Sequence, residues 1–450
     1  MSNLFLRSTD GLDTDNGTTW ALAKATLAGI DAIELAGDTV FVSQVHAETT
    51  AAAVTYTFAG TVGNPTKIIC GNDAAEPPTT TTTGASVSTS GASNIRVIGS
   101  AYLQGIAFSC GSAAQNFANP SFNYSGIAHQ HYNACDLFLI DQHPSSIMTF
   151  GSNAGGDSSR TTLQNCRIKL SNAAQSITYN GLLRVVGGSF VAGTVSPTAG
   201  VFSLAASGPS CDATIENFDL SALAAGTHLL LPPAAGGART GIARFRNCKM
   251  PAAWTGNLVA GTISNPNFRA EMYNCDSGAT NYRLWIEDYT GTIKHETTLV
   301  KTGGASDGTT TLAWKMASNA NTNEYAGALR SGEIAVWNDT IGSAKTVTVD
   351  ILRDSASGLT DAEVWIDVEY QGTTGNPMGV EVSSKRATVL TTAATITAST
   401  ATWTTTGMTA PNRQKMSVTF TPQQKGPIIV RVYFAKPSAT VYVDPTAQVS

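Results

Sequence analysis

Hydrophobic and polar residues alternate along most of this 450-residue chain, and one short phrase keeps returning within the alternation. Leu163-Gln164-Asn165-Cys166-Arg167-Ile168, Ile215-Glu216-Asn217-Phe218-Asp219-Leu220, Phe245-Arg246-Asn247-Cys248-Lys249-Met250 and Met272-Tyr273-Asn274-Cys275-Asp276 each read apolar, polar, Asn, Cys or Phe, then charged. Looser copies are Tyr132-Asn133-Ala134-Cys135-Asp136-Leu137 and Leu103-Gln104-Gly105-Ile106-Ala107-Phe108, with a weak one at 186–191 centred on Ser189. Aligning the fourth position gives 106, 135, 166, 189, 218, 248 and 275, a period near 28 that wanders by a few residues. A solenoid whose turns absorb insertions produces such a pattern. The alternation and the Val, Ile, Phe and Cys content make each unit a strand, and stacked units pair in parallel as a β-helix. The Asn has a physical role at a strand-to-strand bend. It tolerates left-handed backbone, and stacked Asn amides can hydrogen-bond along the axis.

An open solenoid end exposes core and unpaired edges, so it needs a cap. Trp20, Ala23, Leu27 and Ile30 fall at helical spacing, with Thr18 as N-cap and Gly29 as stop. The strand 38–43 is then the first coil. Beyond Thr290-Gly291 the phrase stops and longer alternating strands take over. Val347, Val349 and Ile351 form one inward set, Val364, Ile366 and Val368 a second, Val418 and Phe420 a third, and Ile428, Val430, Val432 and Phe434 a fourth. Turn signals at Asp307-Gly308, Gly375-Asn376-Pro377 and Lys425-Gly426-Pro427 separate strands. The Thr/Ala stretch 388–406 reads as a strand pair. The expected fold is all-β: residues 1–37 a segment with a capping helix, 38–290 a right-handed parallel β-helix, and 291–450 an antiparallel, jelly-roll-like β-sandwich.

Composition sharpens this picture. Sixty Thr and 42 Gly stand against 13 % charged residues, half the ~25 % of a typical globular chain. The net charge is −5, carried by residues 1–290 with 14 basic and 19 acidic side chains, while 291–450 hold 13 of each. There is no basic footprint for nucleic acid and no apolar run long enough for a membrane span. The start, 1–7, does not read as an export signal, so synthesis and assembly in a cytoplasm are expected. Seven cysteines without a CxxC pair read as buried reduced thiols.

The order Asp15-Asn16-Gly17-Thr18 with Trp20, then Gly37-Asp38-Thr39-Val40 with Val42, then Asn-bearing coils, resembles the pectin-lyase type of parallel β-helix. Among these it is most similar to β-helix proteins encoded with the virion structural genes of tailed bacteriophages. The resemblance covers about residues 8–290. It implies a fold and a virion setting.

Two chemistries have candidate residues here. Sugar hydrolysis needs two carboxylates ~5–9.5 Å apart. The charges beside the bend instead alternate in sign: Asp136 over Arg167, Asp219 over Lys249 over Asp276, and Glu216 over Arg246. These read as surface ladders. His129 and His131 share a strand face and precede Cys135, Asp136 and His143, but their spacing matches no standard zinc pattern. Gly155-Gly156, Gly187-Gly188 and Gly236-Gly237 do not precede helices, so no phosphate cradle is expected. Trp254, Trp285, Trp314, Trp337, Trp365 and Trp403 lie within strand patterns, as core residues do.

The expectation is therefore a non-enzymatic virion protein, a capsid accessory or decoration protein with no catalytic, cofactor or metal residues. Its expected partners are the major capsid protein or neighbouring copies in a homo-oligomer such as a trimer, with neither nucleic acid nor membrane. The alternative is a tailspike or fibre-type adhesin that binds or depolymerises a host surface polysaccharide.

Overall fold

The computed structural model describes residues 2–124, 127–151, 159–204, 211–232, 240–278, 280–296, 313–323, 328–353, 363–370, 379–383, 404–405, 413–421 and 425–450. The chain divides into two units, Met1–Asn281 and Tyr282–Ser450.

In the first unit each coil passes in turn through three parallel sheets. The first sheet stacks Asn3–Leu6, Thr39–Ser43, Thr66–Gly71, Ala101–Gln104, His129–Asn133, Arg160–Gln164, Gly181–Val186, Cys211–Glu216, Gly241–Arg246 and Phe268–Asp276. The next short run of each coil builds a second sheet of Ala47–Thr50, Ala85–Thr89, Ile106–Cys110, Asp136–Leu139, Arg167–Lys169 and Ser189–Phe190. A third sheet runs from Val54–Thr57 to Leu230–Leu231. This is a parallel β-helix.

Alternation decides what fills it. Val40, Ile68, Leu103, Tyr132, Leu163, Val185, Ile215, Phe245 and Met272 are mutual register partners, and all nine are fully buried. In the third sheet Tyr56, Val97, Phe122, Phe150, Tyr179 and Leu204 form the facing column. Burying each such side chain contributes roughly 1.5–3 kcal/mol.

The bend from first to second sheet is where the recurring phrase acts. Gly105, Ala134, Asn165, Gly187, Asn217, Asn247 and Asn274 all have positive φ, between 49° and 72°. Their N–H groups continue the ladder: Asn165 donates to Val186 O and Asn247 to Tyr273 O. The side chain of Asn274 donates to Asn247 Oδ1 at 3.0 Å, a rung of the expected amide stack. The following residue turns inward, and Cys135, Cys166, Phe218, Cys248 and Cys275 are buried. All seven cysteines are buried, and none is in a disulfide.

The weak copy is shifted by one residue from its expected place. Arg167 pairs with Ser189 and Gln164 with Val186, so Gly187 takes the Asn position, Gly188 the Cys position, and Ser189 the outward charged one. A Cβ on Gly188 would lie 2.1 Å from the Cys166 carbonyl oxygen, so no cysteine fits there.

The cap also departs from the single helix expected. Trp20–Leu22 is a 3-10 turn capped by Thr19, and Leu27–Asp31 is a separate α-helix capped by Thr26, with Gly29 inside it. Asp13 divides them. Its carboxylate accepts from the N–H groups of Ala25 and Thr26 and from the Thr26 hydroxyl, which pulls this segment out of helical geometry. Trp20, Ala23, Leu27 and Ile30 are nonetheless all buried. Asn3–Leu6, not foreseen as a strand, closes the edge of the first sheet against Thr39–Ser43.

The second unit holds two antiparallel sheets. Asn281–Asp288, Gly291–Glu296, Ala313–Ser318, Thr440–Val449, Lys345–Arg353, Arg413–Phe420 and Thr404–Thr405 form one. In the other, Gly426–Phe434 pairs with Leu329–Arg330, Ile334–Asn338 and Val364–Tyr370, and the last of these with Gly379–Ser383. The four inward sets read from the alternation, from Val347 to Phe434, meet in one buried cluster between the sheets. The turns at 307–308 and 375–377 and most of the stretch 388–406 lie outside the described residues.

Candidate functional site

The three sheets present unlike outer faces. On the second sheet the outward positions include Ser86, Ser88, Ala107 and Ser109, with charges already paired. Arg167 Nε is 2.6 Å from Asp136 Oδ1, and Lys249 Nζ is 3.0 Å from Asp219 Oδ2. On the third sheet Thr178 and Ser203 bond each other at 2.9 Å, and Arg96 lies 4.5 Å over the Tyr124 ring. The first sheet is different. Its outward columns are Tyr102, His131, Thr162, Arg184, Thr214, Arg244 and Glu271, and beside them Gln104, Asn133, Gln164, Val186, Glu216, Arg246 and Tyr273.

At one end of this face the side chains hold each other. Tyr102 donates its hydroxyl to Gln104 Oε1 (2.8 Å) and accepts from Asn133 Nδ2 (3.0 Å). His131 stands edge-on to Tyr102 at 5.1 Å, with its Nε2 3.0 Å from Gln164 Oε1. Burial, with Arg184 nearby, holds the His131 pKa below its usual value despite the bond to Gln164. His129 is lowered too, by burial and by Arg160. Both imidazoles are therefore neutral at pH 7, each with one donor and one acceptor nitrogen.

At the other end a buried carboxylate is clamped. Glu271 accepts from Arg244 Nε (3.1 Å) and the Tyr273 hydroxyl (3.0 Å), and Arg269 Nε lies 2.9 Å from its other oxygen. Burial and the Glu271 charge hold the Tyr273 hydroxyl protonated. Glu216 and Asp212 lie two coils away, each ~12 Å from Glu271 between Cα atoms by strand and coil spacing. Arg246, in register with Glu216, instead leans over the Tyr273 ring at 5.8 Å.

The histidine-bearing group 129–143 is dispersed. His129 and His131 face outward on the first sheet and Cys135 points into the core. Asp136 bonds Arg167 on the second sheet, and His143 lies in a loop, 5.1 Å from Phe117. No group of three or more metal-ligating side chains occurs among the described residues. Trp254, Trp285 and Trp365 are buried as expected of core residues, whereas Trp337 is 71 % exposed. Trp403 lies outside the described residues. No described helix is long and apolar enough to cross a membrane.

No family model matches the chain, and no curated protein matches it. Solved structures do. The enzymatically active domain of bacteriophage CBA120 tailspike protein 4 is similar over 92 % of this chain and 60 % of its own, at 10 % identity and a TM-score of 0.27. The tailspike protein of Acinetobacter phage vB_ApiP_P1 is similar over 90 % and 82 %, at 10 % identity and 0.27. A rhamnogalacturonan lyase is similar over 56 % and 74 %, at 11 % identity and 0.30. The chain thus spans about 60 % of the length of the first of these. At this level the likeness is one of fold. The likeness runs to tailspikes and polysaccharide-acting enzymes, and it overturns the expectation of a non-enzymatic capsid decoration protein.

The structure gives the physical reason for the error. Beside the bend, the second-sheet charges are paired with each other. The unlike chemistry lies upstream, on the first sheet. Its signal was present in the same alignment, three residues before the bend at Arg184, Arg244 and Glu271 and five before it at Arg160, Asp212 and Arg269.

Proposed function

We propose that the chain is a polysaccharide-recognising protein of tailspike type, carried on a phage particle, which binds a bacterial surface glycan along the outer face of the first sheet and cuts it there. The observation that carries this reading is the composition of that face. Amides, neutral imidazoles, tyrosines and guanidinium groups stand side by side on a rigid sheet over successive coils. Planar amide and guanidinium groups match vicinal sugar hydroxyls, and aromatic rings pack against sugar C–H faces. A rigid sheet holds them without an ordering cost on binding. For cutting, Glu271 pairs with Glu216 or Asp212 across the face. Their Cα spacing, shortened by side-chain reach, overlaps the ~6.5–9.5 Å carboxyl separation of inverting glycosidases.

The test incubates the full chain with capsular and lipopolysaccharide glycans from a panel of bacteria. Binding is followed by biolayer interferometry, and cutting by size-exclusion shift and new reducing ends. One or more glycans should bind and shorten. The double variant Asn133→Ala/Gln164→Ala should bind that glycan at least tenfold more weakly, and Glu216→Gln or Asp212→Asn should abolish shortening while binding persists. Binding without shortening refutes the cutting step and leaves an adhesin. Absence of binding by folded protein across the panel overturns the reading.

A further inference from the structure

The first unit is acidic, yet its cations are not spread evenly. Of the 14 basic residues in 1–290, six lie outward on the first sheet: Lys67, Arg160, Arg184, Arg244, Arg246 and Arg269. Of the 19 acidic residues in the same segment, three lie there: Asp212, Glu216 and Glu271. A segment of net charge −5 thus turns one cationic face to solvent.

Several of these cations are spoken for and several are not. Arg244 and Arg269 serve Glu271. Arg160, Arg184 and Arg246 are exposed and form no ion pair among the described residues. The register flanks Arg184 with Thr162 and Thr214, and Arg160 with His129 and Leu182, so no carboxylate occupies their neighbouring rungs; Arg246 has Glu216 on one side but leans the other way, over the Tyr273 ring. Ordinary surface ladders avoid this arrangement. The second sheet of the same unit sets Asp136 against Arg167 and Asp219 against Lys249. Leaving guanidinium groups unpaired on a rigid sheet keeps their bidentate donors available to an anion from outside.

We infer that the ligand of this face is an acidic polysaccharide, its anionic groups seated on Arg160, Arg184 and Arg246 as the polymer runs along the coil axis. This rests on the polysaccharide-binding reading above and names its substrate class. Arg160 and Arg184 stand one coil and two residues apart, and Arg184 and Arg246 two coils and two residues apart, ~8 Å and ~12 Å between Cα atoms by strand and coil spacing, which brackets the length of a disaccharide. The shared chemistry is a resonance-stabilised oxyanion. A uronic-type carboxylate and a phosphodiester both supply it.

The experiment measures binding of the full chain to four polymers of matched length: a neutral dextran, a polyuronate, a phosphodiester-linked teichoic-type polymer, and poly-glutamate as a non-sugar polyanion. The expected result is tight binding to the polyuronate or the phosphodiester polymer, which identifies the anion, and at least tenfold weaker binding to dextran and poly-glutamate. Affinity should fall as salt rises. Arg160→Gln/Arg184→Gln/Arg246→Gln should lose at least tenfold of it and the Arg→Lys counterpart should recover part. Arg167→Gln/Lys169→Gln/Lys249→Gln, an equal loss of three charges on the second sheet, should change it less than twofold. Circular dichroism checks that each variant is folded. Dextran bound as tightly as the acidic polymers, with the triple variant unaffected, overturns the acidic class and leaves polysaccharide binding standing. Poly-glutamate bound as tightly as the sugars, or equal losses in the second-sheet triple variant, shows bulk charge attraction and also overturns it. Binding to none of the four, together with failure on the bacterial panel, overturns both.

Discussion

One position in the bend column breaks its own rule, and its replacement should raise stability. Six of the seven bend positions named above are Gly or Asn, the residue types that enter the left-handed region at least cost, whereas the seventh is Ala134 with φ 50°. A residue with a Cβ and no side-chain hydrogen bond pays about 1–2 kcal/mol for that conformation. Ala134→Gly removes this cost. Against it stands the greater freedom of Gly in the unfolded chain, about 0.4–1 kcal/mol. Ala134 is half-buried, so little packing is lost. The net expectation is stabilisation of about 0.5–1 kcal/mol, or about 2 °C for a unit of this size. Ala107→Gly is the control. It lies within the strand Ile106–Cys110, where Gly should cost about 0.5–1 kcal/mol, the opposite sign. Thermal melting of the full chain, with urea midpoints at constant m, measures both. A loss of stability in Ala134→Gly comparable to that in Ala107→Gly would refute the argument that backbone handedness sets the residue at the bend.

Phe245→Ala, in the middle of the fully buried inward column, should cost about 3–5 kcal/mol by urea unfolding; a cost under 1 kcal/mol would mean the column does not hold the coils together. Asp136→Asn should change stability by ~1 kcal/mol or less, because its Arg167 partner is largely exposed. Burial pushes Asp219 up, but hydrogen bonds from Ser221 and the Lys249 ammonium outweigh it, and its pKa lies below the usual value. A depressed carboxyl stabilises the fold above its unfolded pKa, ~3.9, and that contribution fades as pH falls through the lower folded value. The melting difference between wild type and Lys249→Gln should accordingly be present at pH 6 and vanish in strong acid. Burial raises the thiols of Cys110 to about 11 and Cys166 to about 12. A thiol reagent at pH 8 should label none of the seven cysteines in native protein and all seven after denaturation; labelling below seven in fresh denatured protein would indicate disulfides.

The coil repeat was legible because it is written in short-range rules. Strand alternation reports which side chains turn inward, and a left-handed bend admits few residue types, so Asn165, Asn217, Asn247 and Asn274 mark their places without any knowledge of neighbours. The same holds for the second unit, where Val347, Ile366, Val430 and their alternating partners could be assigned to one core from period-two patterning alone. Register was the first thing to escape. Gly187-Gly188 replaces Asn-Cys in one coil, and only pairing with the coils on either side shows that Ser189 belongs outside the bend. The cap escaped next, because the Asp13 carboxylate, distant in sequence from Thr26, competes for the N–H groups that a single helix would have used. The outer face of the first sheet was the largest loss. Arg160, Arg184 and Arg246 follow one another at gaps of 24 and 62 positions in a chain with few charges, and alone each reads as an ordinary surface residue. Stacking in parallel at ~4.8 Å per coil converts that distance along the chain into adjacency across one face. Charge acts through space, so the sequence determined which residues face outward, and the coil register decided which of them act together.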